Sequence, residues 1–385
     1  MKTIYMDHSA TTPVDPEVFD AMRPFFSESY GNASSIHLYG QNARRAVETA
    51  REQVAKLIHA SPQEIVFTSG GTEADKQAIV SYASENGSRG KHVITSAIEH
   101  HAVLETCMHL AGQGLDLTIL PVTPEGIVKT EVLQGALKPE SILVSVMHAN
   151  NEVGTIQDIE KLASVSHAAG AVFHTDAVQT LGKIPVDVRA MGIDMLSGSS
   201  HKLYGPKGIG CPYVKNGLRL PALLHGGEQE RRMRAGTENV PAIVGFGKAC
   251  ELAERHMAAR REHLEKLSGV LRERILQTIP NVRLTGHPTQ RLPGNISLCF
   301  DFVEGESILL MLDGHGVMAS SGSACTSGIL DASHVLLALG LPHELANGSL
   351  RLTLGKDNTE EDIEKVITVL PDVIAALRRI SPLCT

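Results

Sequence analysis

An α/β fold, with a mainly parallel sheet flanked by helices and a smaller α+β domain, is the expectation that this sequence raises. Three features carry it. Short runs rich in Val and Ile recur along the chain, and helical patterns separate several of them. Those runs are continuously apolar rather than alternating, as strands buried on both faces are. The 385 residues, 42% of them hydrophobic, suffice for a large core and exceed the usual size of one domain.

The elements follow in order. A short strand is expected at the N-terminus, then the turn Ala10-Thr11-Thr12-Pro13, and Gly31 to His37 reads as a polar loop. From Gly40 to Ile58 the residues Ala43, Ala46, Val47, Ala50, Val54, Leu57 and Ile58 recur at helical spacing, which predicts an amphipathic helix. Strands are expected at Ile65–Thr68, His92–Thr95, Leu117–Leu120, Ile142–Met147, Ala171–His174, Asp194–Ser197 and Ile209–Val214. A helix from Asp158 to Ala169 ends at Gly170, which tolerates the left-handed C-cap. Pro241 to Ile279 is helical in pattern for longer than one ordinary globular helix, and its charged stretch Arg255 to Arg261 marks the expected domain boundary. Beyond it, Val282–Thr285, Asn295–Phe300 and Leu350–Leu354 read as strands. The last helix starts at the capping-box-like Thr359-Glu360-Glu361-Asp362 and is expected to kink at Pro371.

Composition narrows the function classes. Net charge is −8 with acids and bases interspersed, which argues against nucleic acid or an anionic membrane as the main partner. No apolar run approaches the ~20 residues of a membrane span, and Met1 to His8 lacks the apolar core of a signal peptide, so a cytoplasmic protein is expected. The cysteines are Cys107, Cys211, Cys250, Cys299, Cys325 and Cys384. They form no C-x-x-C pair and no Cys/His cluster at zinc spacing, so neither a disulfide framework nor a zinc site is expected. A reactive thiol is expected only in a polar, glycine-rich loop.

Ligands of open α/β sheets bind beyond the carboxyl ends of the strands, so the residues there are the candidates for chemistry. Ser199-Ser200-His201-Lys202 follows the apolar Met195 and Leu196 and precedes the glycine-rich Gly205 to Gly208. A lysine there is either a solvated surface residue or a desolvated amine, and desolvation lowers its pKa and suits Schiff-base chemistry. Ser69-Gly70-Gly71-Thr72-Glu73-Ala74 leads into a helix and is either a phosphate site or a plain tight turn. In Glu99-His100-His101 one histidine is placed to stack on an aromatic ligand, or both are polar helix-start residues. His148-Ala149-Asn150-Asn151-Glu152 sets consecutive amides at a strand end, as a turn or as ligand hydrogen-bonders. Asp176 follows a buried strand and needs a partner: a cationic ring nitrogen, an arginine, or a metal shared with His174 and His148. A phosphate site, a carboxylate for a pyridinium, amides and an amine together are what pyridoxal phosphate requires.

Longer motifs run nearly end to end: D-H-S-A-T-T-P, Y-G-N-A-S-S-I-H, F-T-S-G-G-T-E, E-H-H-A-V-L-E-T-C, M-H-A-N-N-E-V-G and H-T-D-A-V-Q. Further on come S-S-H-K-L-Y-G-P-K-G-I-G, R-R-M-R-A-G-T-E-N-V-P, S-S-G-S-A-C-T-S-G and S-L-R-L-T-L-G. On these motifs the chain resembles the cysteine desulfurases of the NifS/IscS type, in the class-V group of fold-type-I pyridoxal-phosphate enzymes. The resemblance implies a fold-type-I transferase with a large cofactor-binding domain at 15–257 and a small domain made of 1–14 and 258–385.

The resemblance also implies roles. Lys202 would hold pyridoxal 5'-phosphate as a Schiff base, Asp176 would pair with the pyridine nitrogen, and His100 would stack over the ring. Asn151 and Gln179 would bond the phenolic oxygen side, and Gly71, Thr72, Ser199 and His201 the phosphate. Thr237 would reach the phosphate of a neighbouring subunit, which implies a homodimer with composite sites. Cys325, in a polar Gly/Ser loop whose flexibility suits sulfur transfer, would be the nucleophile. Arg351 would take the substrate carboxylate as a planar two-point partner, with Asn151 beside it. The implied reaction converts L-cysteine to L-alanine and leaves a persulfide on Cys325. An acceptor such as an iron–sulfur scaffold or a tRNA-thiolation protein would then take the sulfur. No metal, direct nucleic-acid contact or membrane is implied.

Rival readings are a selenocysteine lyase or aminotransferase of the same class, or a silent binder of sulfur-trafficking proteins. Cys325 argues against an aminotransferase, and Lys202, Asp176, His100, Cys325 and Arg351 together argue against silence. Departures from the resemblance are Ala33 where many relatives have Pro, Lys76 where Asn is usual, and His148 in place of a common Trp or another residue beside the expected ring pocket. C-T-S-G resembles the long-loop subgroup rather than the short-loop subgroup, which also handles selenocysteine.

Overall fold

The computed structural model describes residues 3–322 and 332–382, so Cys325 and Cys384 lie outside the described residues. Six strands form the central sheet: β1 (His92–Ser96), β2 (Asp116–Leu120), β3 (Ser141–Ser145), β4 (Val172–Asp176), β5 (Met195–Ser199) and β6 (Gly210–Val214). Their order is β2-β1-β3-β4-β5-β6, with every pairing parallel except that of β5 with the edge strand β6. β1, β3, β5 and β6 are buried at every position, and their sequences are accordingly apolar or small except for His92, whose ring nitrogens meet the Ser141 and Thr118 hydroxyls. Edge strand β2 is only partly covered.

Ile65–Thr68 is the expected strand that does not form. Only Ile65 and Thr68 bridge to β6, at Tyr213 and Gly210. Side chains take the backbone groups that a strand partner would have used. The Phe67 N–H donates to the Glu230 carboxylate at 2.7 Å, and the Ile65 carbonyl accepts from Arg51 at 2.9 Å. The Arg51–Glu230 pair behind them is buried, with two contacts of 2.7 and 2.8 Å. It also anchors Glu230, Arg231 and Arg232, three successive non-glycine residues with left-handed φ of 45°, 56° and 66°. Removing one member of a buried pair strands the other charge. Arg51→Met is therefore expected to lower the unfolding free energy by about 3–5 kcal/mol in a urea titration. A loss below about 1 kcal/mol would show the pair to be dispensable.

The second core is built on three antiparallel strands, β7 (Val282–Leu284), β8 (Asn295–Phe300) and β9 (Ser349–Thr353), in the order β9-β8-β7. The N-terminal pair Ile4–Tyr5 lies parallel to Val317–Met318, so Ile4 and Met6 are buried in this core too. Val240–Thr278 is one unbroken helix of 39 residues, where the sequence suggested a length too great for one. Its apolar face changes partner while its backbone continues. Val240 to Ala253 pack on the sheet core, and Leu264 to Ile275 on the second core. The charged stretch between them lies at the surface. The final helix, Glu360–Ile380, starts at a capping box of Thr359 and Asp362 and continues through Pro371 as a single element.

Candidate active site

The carboxyl ends of β1, β3, β4 and β5 open onto a cleft of about 340 Å³. Gly71, Thr72, His100, Asn151, Asp176, Gln179, Ser199, His201, Lys202 and Arg351 all line it. The sequence places these residues far apart, and the parallel sheet collects them at one end.

Lys202 ends the short turn Ser200–Lys202 that follows β5 directly. Its Nζ donates to the carbonyls of Ser9 and Ala10 at 2.6 and 2.7 Å. Burial lowers its pKa to about 8, with the Arg351 charge acting in the same direction and Asp176 and Asp7 against it. Ser9 and Ala10 line the cleft as well. They contribute carbonyls, which leave no side-chain signal in a sequence.

Asp176 is the last residue of β4, and its Oδ1 accepts the Val178 N–H at 2.9 Å. Burial raises its pKa, while the charges of His100 and Lys202 and the Val178 bond oppose the rise. Asp75 joins it from the helix Gly71–Lys76, 1% exposed and with Oδ1 unpartnered. Burial and the neighbouring Asp176 push the Asp75 pKa well up. Sequence reasoning missed Asp75, since a carboxylate inside a helical stretch normally faces solvent.

His100 caps the helix His101–Gly112, with Nδ1 accepting the Ala102 N–H at 3.1 Å. That bond leaves the proton of the neutral ring on Nε2. Burial lowers its pKa, with Asp176 opposing and Lys202 and His101 adding to the fall. Across the cleft, a Cβ on Gly71 would come within 2.8 Å of Val178 Cγ2, so close packing excludes a side chain where the helix begins. The Nδ1 of His201 meets Thr11 Oγ1 at 3.1 Å. Burial and the charges of Lys202, Lys207 and Lys183 lower the His201 pKa to about 4, so this ring is neutral near pH 7.

Arg351 enters from β9 of the second core. Its guanidinium donates to Asp7 Oδ1 at 2.9 Å and to the Asn151 carbonyl at 3.3 Å, leaving Nε unpartnered. Its backbone exchanges hydrogen bonds with Ser320 at 2.7 and 3.2 Å. The Gly322 N–H donates to Ser349 Oγ, and Ser333 Oγ donates to Glu152 at 2.5 Å. The described residues on both sides of the Cys325 segment are thus tied close to Arg351 and Glu152.

Some expected residues lie elsewhere. Thr237 is exposed and does not line the cleft of its own chain. Cys325 falls outside the described residues. Met147, not His148, faces the cleft, and His148 lines a separate groove with Gln157 and Arg291. His148 therefore cannot share a metal with Asp176, and both ring nitrogens of His174 are already held by Ser145 and Ser197 hydroxyls at 2.8 and 3.0 Å. Among the described residues no group of three His, Cys, Asp or Glu side chains is arranged to hold a metal ion. Cys107, Cys211, Cys250 and Cys299 are buried, and burial pushes the Cys107, Cys211 and Cys299 thiols up to about 12.

The aminotransferase class-V family model matches residues 4–366. The chain is 50% identical over 382 residues to the cysteine desulfurase IscS of Methanosarcina thermophila, covering 99% of this chain and 94% of the relative. It is likewise 50% identical over 384 residues to the cysteine desulfurase IscS of Clostridium botulinum, covering 99% and 97%. A solved NifS-like protein, 37% identical, superposes with a TM-score of 0.92 over 97% of this chain and 100% of its own. The architecture is the fold-type-I one expected from the sequence. The chain belongs to the aminotransferase class-V family and, within it, to the cysteine desulfurases of the NifS/IscS type.

Proposed function

We propose that this protein converts L-cysteine to L-alanine with pyridoxal 5'-phosphate and moves the sulfur to Cys325 as a persulfide. The observation that carries the reading is the meeting of Lys202, Asp176, His100 and Arg351 at one cleft in a member of this family. The donor set fits the cofactor. It holds an amine of lowered pKa, a buried carboxylate with spare acceptor capacity, an imidazole open to the cleft, and a helix start kept free of a side chain at Gly71.

When bound, the cofactor supplies an electron sink that lets bonds at the substrate's α- and β-carbons break. Lys202 would hold it through Nζ, and the same amine would accept the substrate's α-proton. Asp176 would favour the protonated pyridine nitrogen, and His100 would cover the ring. Gly71, Thr72, Ser199 and His201 would hold the phosphate, while Asn151 and Gln179 would serve the phenolic side. Arg351, braced by Asp7, holds the substrate carboxylate. The Cys325 thiolate attacks the substrate sulfur: a carbon–sulfur bond breaks and a sulfur–sulfur bond forms. The balance is L-cysteine plus one protein thiol giving L-alanine plus one persulfide. An acceptor protein then removes the sulfur, and the IscS name of the relatives supports iron–sulfur cluster assembly or tRNA thiolation as its destination.

A homodimer in the cytoplasm belongs to the same proposal. Phe19, Phe26, Tyr30, Ile36, Leu38 and Tyr39 are exposed apolar side chains within one short stretch, suited to cover by a second copy. In such a dimer Thr237 is offered to the neighbouring cleft. Among the described residues no helix is long and apolar enough to cross a membrane.

Protein purified with pyridoxal phosphate is expected to be yellow and to release alanine and sulfide from L-cysteine with a thiol reductant. Cofactor uptake without alanine release would overturn the reading. A pH dependence follows from Lys202. Its neutral amine is the nucleophile, and the lowered pKa of about 8 sets where that form appears. Uptake of pyridoxal phosphate by the stripped protein is expected to quicken about tenfold per unit as pH rises towards 8, then level off. A stopped-flow rate still climbing tenfold per unit above pH 9 would mean an ordinary, solvated lysine.

A further inference from the structure

Lys183 lies beside the cleft without lining it. Its Nζ donates to Gln179 Oε1 at 2.9 Å. Gln179 Nε2 in turn donates to the Ser9 carbonyl at 2.9 Å, and the same carbonyl accepts from Lys202 Nζ at 2.6 Å. A backbone carbonyl can only accept, so the Ser9 contact makes Nε2 the donor, and Lys183 Nζ, which carries hydrogens in either protonation state, donates to the Oε1 that this leaves facing it. Turned over, the amide would set its oxygen against the Ser9 carbonyl, which costs that bond and creates a repulsive contact, and would set N–H against the hydrogens of Lys183 Nζ. With one N–H committed to Ser9 and the oxygen held by Lys183, the uncommitted hydrogen of the amide is its second N–H.

Lys183 has an unusual setting for a lysine with only a packing role. Among the described residues it makes no ion pair, and its neighbours include the cations Lys202 and Arg351. Burial, with those two charges adding, lowers its pKa to about 7. The small cavity on its other side, about 30 Å³, is shared with His8, Tyr204, Arg260 and Lys202 and brings no carboxylate. A half-buried amine beside like charges is unfavourable unless its hydrogen bond is needed.

We propose that Lys183 is a positioning residue: it holds the Gln179 amide as a hydrogen-bond donor towards the anionic oxygen of the cofactor ring. The inference rests on the proposed use of pyridoxal phosphate and deepens it, by adding a lysine outside the cleft that sets the polarity of one of its walls.

The test compares Lys183→Met, which keeps the apolar stem, with Lys183→Arg, which restores a donor. The readouts are the dissociation constant of pyridoxal phosphate and the visible absorption maximum of the loaded protein. Lys183→Met is expected to weaken cofactor binding about tenfold and to move the absorption maximum, and Lys183→Arg to recover most of both. In a Gln179→Ala background Lys183→Met is expected to add no further change, because its effect runs through that amide. Lys183→Met matching the parent in both readouts would overturn the inference. So would an undiminished effect in the Gln179→Ala background. Parent protein that takes up no pyridoxal phosphate overturns the proposed function itself, a result distinct from either.

Discussion

Cys325→Ala is expected to bind pyridoxal phosphate and turn yellow like the parent, yet to form no persulfide. Alanine production from L-cysteine should fall by roughly a thousandfold or more, because the attacking sulfur is gone while the cofactor site is intact. The structure narrows the alternatives. A thiol attacks as its thiolate, and burial holds Cys107, Cys211 and Cys299 near a pKa of 12, with Cys250 pushed well up by the same cause. None of these can serve near neutral pH. Cys325 and Cys384 are the remaining thiols, and only Cys325 sits in a stretch whose flanking residues are tied to Arg351 and Glu152. Cys384→Ala is the matched control and should keep parental activity. Activity retained by Cys325→Ala and lost by Cys384→Ala would reverse the assignment.

Lys202→Ala is expected to lose the visible band of the covalently held cofactor together with activity, again by about a thousandfold or more, since in the proposed reaction one amine serves as attachment point and proton acceptor. The reasoning is local. Lys202 is held by two neutral carbonyls, from Ser9 and Ala10, rather than by a carboxylate. Burial together with the Arg351 charge lowers its pKa. Lys202→Arg preserves charge but offers no neutral amine, so it should be as inactive as alanine. An unchanged spectrum in Lys202→Ala would point to another lysine, and Lys183 is the nearest alternative read from the hydrogen-bond chain through Gln179.

Much of this cleft is legible in the sequence because a parallel sheet puts its functional residues immediately after its strands. Asp176 and Ser199 end the mostly apolar or small runs Val172–Asp176 and Met195–Ser199, and Lys202 follows the second within three residues. What escapes is chemistry without a side-chain signature. The Ser9 and Ala10 carbonyls are invisible in this sense, and so is the Asp7–Arg351 pair, which joins residues 344 positions apart. Asp75 reads as a surface acid until its helix is seen to pack against Asp176. Ile65–Thr68 has the composition of a strand, but Arg51 and Glu230 compete for its backbone. Val240–Thr278 looked too long because one helix serves two cores. His148 lies away from the cleft because successive residues of an extended segment point to opposite sides, and Met147 takes the cleft side.

The most direct test of the central claim is intact and peptide mass spectrometry of the cofactor-loaded protein after one equivalent of L-cysteine, without reductant. The expected result is one added sulfur atom on the peptide containing Cys325, with alanine formed in equal amount. Alanine formed with no sulfur on that peptide, or sulfur found on another cysteine, would contradict the account.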